Sequence, residues 1–169
     1  MNGLIERVSR PINWSTVVMF TLGFWLSGSL IFDFVTIPSL LASGMMGESG
    51  FASAAYLMFG IFNRIELVCA ALVLTSCFIF FKQHNLEGKK AIISLILASI
   101  LLTIALGYTY IFTPQMTSLG LQLNLLDPTA ELSTKMMNLH QFYWLLEGIK
   151  MISGTVLLRW CYRNSCSLI

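Results

Sequence analysis

The sequence predicts an all-α protein: one integral membrane four-helix bundle over residues 1–169, with both termini cytoplasmic. Three observations predict it. Only 11% of the residues are charged and 56% are hydrophobic, whereas soluble domains carry about 25% charged residues. The apolar residues gather in stretches long enough to cross a bilayer, at about 14–37, 60–81, 91–112 and 134–160. Lysine and arginine concentrate on one side of the resulting up-and-down path.

The first apolar run follows a short polar segment with Arg7 and Arg10. It is too long for a signal-peptide core, and no small-x-small cleavage site follows, so it reads as a retained membrane helix. Pro38 marks its expected end. Trp25, Ser29, Asp33 and Thr36 share one face, and Gly23 with Ser27 forms a small-xxx-small pair for close helix approach.

A Gly/Ser-rich loop with Met45, Met46 and Glu48 leads into the run 51–81, which only Asn63, Arg64 and Glu66 interrupt. An unbroken helix over that run would measure about 46 Å, beyond the roughly 30 Å hydrocarbon core. The span is therefore placed at 60–81, after an entry turn or helical extension. Asn63 and Glu66 share a face, with Arg64 to one side.

The third span has no ionisable group besides its tyrosines, and Tyr108, Tyr110 and Phe112 read as an aromatic belt at one end. Pro114, Gly120 and Asp127-Pro128 then predict a break, with the leucine-rich stretch to Leu132 lying on the membrane surface or capping the bundle.

The last segment, 133–160, is the most informative. Met136, His140, Tyr143, Trp144, Glu147, Met151 and Gly154 fall on one helical stripe with Lys150 at its margin, while Leu139, Leu146 and Ile149 lie opposite. Ionisable groups inside a membrane face protein or a wet cavity, so this helix has a packed face and a lipid face. Glu147 and Lys150, one turn apart, can pair.

Four spans put Arg7, Arg10, Lys82, Lys89, Lys90, Arg159 and Arg163 on one side, which the positive-inside rule makes cytoplasmic. Asp33, Asn63, Arg64, Glu66 and His140 then occupy the outer half, with Glu147 and Lys150 deeper. The candidate site is this set of seven. Two carboxylates offset one guanidinium, and the imidazole can take either protonation state. Such a network serves either as hydrogen-bonding glue or as a ligand or proton site.

Cys69, Cys77, Cys161 and Cys166 show neither CxxC spacing nor a secreted disulfide framework; they read as small hydrophobes, with lipidation open to the C-terminal pair. A net charge of +2 and the lack of a basic, aromatic-interleaved groove exclude nucleic acid as a partner.

Short motifs carry a resemblance. Gly23-Phe-Trp, Asp33 followed by Pro38-Ser-Leu, Phe62-Asn-Arg-Ile-Glu66 and Leu139-His140 are similar to a domain-of-unknown-function family of small four-helix membrane proteins. That family also includes the TMEM-type membrane protein linked to cisplatin resistance. Trp25-Leu-Ser-Gly-Ser and Gly44-Met45-Met46 look most like cyanobacterial members. The resemblance implies four helices with a shared polar cluster at Asp33, Arg64, Glu66 and His140, and no established reaction. A more distant similarity to copper-resistance membrane proteins implies metal handling.

The leading expectation is a non-enzymatic membrane protein acting as an accessory, assembly or interaction factor, whose partners are the lipid bilayer and a membrane protein complex. No phosphate loop, nucleophile elbow or zinc-protease motif is present. A second reading is copper or haem handling, with His140 as ligand and Met45 and Met46, joined by Met136 and Met137, as soft donors. A third is a small proton-linked transporter using Glu66, His140 and Glu147. No cofactor is specified, and either a plasma or a thylakoid membrane fits.

Overall fold

The computed structural model describes residues 14–45, 50–82, 88–125 and 130–166. They form four helical rods. The first joins α1 (Trp14–Ile31), a π turn (Phe32–Thr36) and α2 (Ile37–Ala42). The second is α3 (Phe51–Lys82); the third joins α4 (Gly88–Gly107), a second π turn (Tyr108–Phe112) and α5 (Thr113–Leu125); the fourth is α6 (Ala130–Cys166). Arg7, Arg10, Met46 and Asp127-Pro128 lie outside the described residues.

The rods pack in a ring. α3 lies between α1 and α4, and α6 closes the ring by packing on both α1 and α4. Gly44 and Gly50 take φ of 71° and 101° on either side of the first connection, a conformation that a side chain would strain.

Three rods contain helices long and apolar enough to cross a membrane: Trp14–Leu40, Phe51–Lys82 and Lys89–Gln122. The fourth was expected to join them. It has the length, 37 residues, but Asn138, His140, Gln141, Glu147 and Lys150 dilute its apolar character.

Both prolines expected to end helices sit inside continuing rods. In the first, the Ile37 N–H reaches back five residues to the Phe32 carbonyl, and Pro38 follows. In the third, the Thr113 N–H reaches the Tyr108 carbonyl, and Pro114 follows. Proline removes one helical hydrogen bond and crowds the preceding turn. The wider π turn re-registers the ladder just before each ring, so the rod bends its bonding pattern without ending. The stretch after Phe112 therefore extends the third rod as far as Leu125 instead of breaking away at Pro114.

One end of the bundle is apolar. Val18 and Leu22 of α1 meet Val73 and Cys77 of α3, Leu101 of α4, and Leu157 and Cys161 of α6. Among the glycines, the closest approach is Gly154 to Leu26: a β-carbon on Gly154 would lie 2.8 Å from Leu26 Cδ2. The expected contact pair, Gly23 and Ser27, does not serve this role, because nothing lies within 4 Å of a β-carbon built on Gly23 and Ser27 is exposed. The small residue that matters is on α6, one helix away from where sequence spacing placed it.

A buried acidic cluster beneath an aromatic pocket

The other half of the bundle is polar inside. Asp33, Glu66, Glu147 and Lys150 are the buried charged residues among those described, each at most 3% exposed. They come from three rods and lie one or two turns from the apolar core.

Glu66 is the best served. Its Oε1 accepts hydrogen bonds from Trp25 Nε1 at 2.8 Å, Ser29 Oγ at 3.1 Å and Lys150 Nζ at 2.6 Å. The i, i+4 spacing of Trp25 and Ser29 puts both donors on the face of α1 that meets α3. Lys150 also pairs with Glu147 Oε2 at 2.7 Å across one turn of α6, and its ammonium stands 5.3 Å from the centre of the Tyr108 ring. One cation therefore bridges two carboxylates.

Glu147 and Asp33 continue the network through tyrosines. Tyr108 OH lies 3.2 Å from both Glu147 Oε2 and the Tyr143 carbonyl, and its single proton can serve one of them at a time. Tyr143 OH donates to Asp33 Oδ1 at 2.8 Å. Among the described residues, the buried side-chain oxygens Asp33 Oδ2 and Glu147 Oε1 have no hydrogen-bond donor. The Asp33 and Glu147 carboxyl groups lie close enough to act on each other. Two carboxyl groups can hydrogen-bond only when one carries a proton.

The charge count agrees. Three carboxyl groups face one ammonium in this cluster. Burying charge without compensation is costly, and buried groups neutralise in preference to remaining unpaired.

Above the two tyrosines lies a cavity of about 350 Å³, within the size range of small-ligand pockets. Tyr108 and Tyr143 line it, together with Phe59, Phe112, His140 and Trp144, and no lysine or arginine lines it among the described residues. The rings interlock: Tyr108 and Tyr143 are 4.9 Å apart, Tyr143 and Trp144 6.2 Å. Gly120 of α5 closes the side wall, its β-carbon position 3.6 Å from Ala52 of α3 and 3.9 Å from Met136 of α6.

The predicted site residues divide. Asp33, Glu66, Glu147 and Lys150 come together as one cluster, and the Glu147 to Lys150 pairing holds. Asn63 is buried but separate, donating to Thr113 Oγ1 at 2.7 Å. Arg64 does not join: it is exposed, because two positions from Glu66 on a helix is about 200° around the axis. Its expected neutralising role falls to Lys150. His140 is also exposed, on the pocket wall, and its Nδ1 donates to the Met136 carbonyl at 3.0 Å.

Of the soft donors, Met45 is 49% exposed at the end of the first rod, and the pocket is lined by Met136 but not Met45. Among the described residues no group of three or more His, Cys, Asp and Glu could hold a metal ion. The sequence reading missed Tyr108 and Tyr143 as donors and Trp25 as the cap on Glu66. Tyr143 shares a helical stripe with Glu147, but its hydroxyl reaches Asp33 on another rod, a pairing that only the packing of the rods reveals.

No family model, curated protein or solved structure matches the chain.

Proposed function

We propose that this chain is a non-enzymatic, multi-pass membrane protein whose four rods cross the bilayer with both ends cytoplasmic, and whose buried carboxyl pair holds an exchangeable proton linked to a small molecule in the aromatic pocket. The observation that carries this reading is the pair of unpartnered oxygens on Asp33 and Glu147. A network serving only as glue would satisfy every acceptor, as it does at Glu66 Oε1, because an unmet buried acceptor costs about 1–3 kcal/mol.

The orientation rests on Lys82, Lys89, Arg159 and Arg163, which fall at the apolar-core end of the rods, whereas the pocket lies at the opposite end, facing outward. α6 crosses as the least apolar rod because its polar stripe turns into the bundle. The sequence resemblance to small four-helix membrane proteins is consistent with this architecture.

The test is infrared difference spectroscopy of the protein in lipid nanodiscs during pH jumps. A protonated-carboxyl band that disappears in both Asp33→Asn and Glu147→Gln is the expected result. Its absence at every pH where the protein stays folded would overturn the proton site.

An accessory or assembly role is the second reading, favoured by the Glu66 carboxylate, whose Oε1 accepts three hydrogen bonds from two other helices and would fix helix register for a partner membrane complex. Copurification of a defined complex that is lost in Glu66→Gln would favour it.

A further inference from the structure

Resting on that reading, we infer that the pocket takes a lipophilic organic monocation, a quaternary or protonated amine or a phosphonium with aromatic or branched substituents, and that its binding displaces the proton shared by Asp33 and Glu147. Three independent features select this class.

The first is charge. Asp33, Glu66 and Glu147 face Lys150 alone, so with one shared proton the cluster keeps one negative charge. An anion above it would be repelled, and among the described residues the pocket lining offers no lysine or arginine to receive one. The second is surface chemistry. Phe59, Phe112, Tyr108, Tyr143 and Trp144 line the cavity, and aromatic faces attract cations whose charge is too diffuse to need strong hydrogen bonds. The third is connection. Tyr108 and Tyr143 belong to both structures: both residues line the cavity, and their hydroxyls contact Glu147 and Asp33. A positive charge in the pocket is thus one phenol ring from the carboxyl pair.

The exchange balances. Before binding, the Asp33/Glu147 pair holds one proton. The cation enters, the proton passes to bulk water, and the total charge of site plus ligand is unchanged. Among the described residues, the titratable groups around the pair are Glu66 on α3, Tyr108 on the second π turn, and Tyr143, Glu147 and Lys150 on α6, with His140 on the pocket wall. His140 differs from the pair in being exposed, so its contribution is separated by His140→Gln.

The experiment measures tetraphenylphosphonium binding to the protein in nanodiscs by calorimetry in two buffers of different ionisation heat, with empty nanodiscs subtracted. Tetraphenylborate, the same shape with opposite charge, is the control. The expected result is phosphonium binding with release of about one proton, an affinity that rises about tenfold per pH unit while the proton is exchanged, and no borate binding. Asp33→Asn should still bind, with no proton release and no pH dependence, because its cluster carries the same single negative charge without a shared proton. Trp144→Ala, whose side chain is half exposed and outside the cluster, should weaken binding about tenfold or more.

Equal binding of the borate would overturn the cation class. Phosphonium binding to wild type without proton release would overturn the exchange. If no phosphonium binds while the carboxyl band is present, the inference fails and the proton site stands; if phosphonium binds and the band is absent, the proton site fails.

Discussion

Asp33 and Glu147 each keep one buried carboxyl oxygen without a hydrogen-bond donor among the described residues, and the two carboxyl groups lie close enough to act on each other. One sits in the π turn of the first rod and the other in the middle of the fourth. Their other oxygens are held by Tyr143 on one side and by Lys150 and Tyr108 on the other. Neither group can rotate away without abandoning those bonds.

The two acids should therefore respond differently to neutral replacement. Asp33→Asn gives the pair a permanent donor toward Glu147 and should leave thermal stability in detergent unchanged or raised. Glu147→Gln removes a partner of Lys150 and should lower it. Equal losses for both would contradict the arrangement.

Lys150 holds two carboxylates, so removing it leaves both without their cation. Lys150→Met should cost about 3–5 kcal/mol, the range for breaking a buried pair from one side. Adding Glu66→Gln to Lys150→Met should recover part of that loss, as read by denaturant or thermal unfolding.

Gly154 is packed against Leu26 and Gly23 is not packed. Gly154→Ala would place a β-carbon 2.8 Å from Leu26 and should destabilise by about 1–3 kcal/mol. Leu26→Val in the same chain should restore much of it. Gly23→Ala meets nothing within 4 Å and should not destabilise; the comparison is one melting curve for each variant.

Thr113→Val would leave the Asn63 amide without its 2.7 Å acceptor. An unmet buried donor costs about 1–3 kcal/mol. The double variant Asn63→Leu with Thr113→Val removes both polar partners and should be closer to wild type than Thr113→Val alone.

Much of this architecture was legible in the residues. Long apolar runs fixed three of the four rods, and the i, i+3 spacing of Glu147 and Lys150 identified the ion pair. The face shared by Trp25, Ser29 and Asp33 was also readable, since all three point into the bundle. Three things were not. Pro38 and Pro114 read as helix ends because the rule against proline assumes an α-helical ladder, and a π turn changes that ladder just upstream. Arg64 looked like the neutralising cation because it is close in sequence to Glu66, whereas helix geometry turns it outward. Tyr108 read as part of an interfacial belt; only the approach of α6 to the third rod places its hydroxyl beside Glu147.

Each π turn also carries a surplus residue relative to an ordinary helix, and this fixes the phase of everything beyond it. Removing one residue from Phe32–Thr36 would shorten the first rod by only about 1.5 Å but would rotate α2 by about 100° relative to α1. Ile37 and Leu40, which form part of the pocket wall, would then face another direction with their chemistry unaltered. The cavity is in this sense a property of register: its upper wall exists because the chain counts one residue more than a straight helix needs.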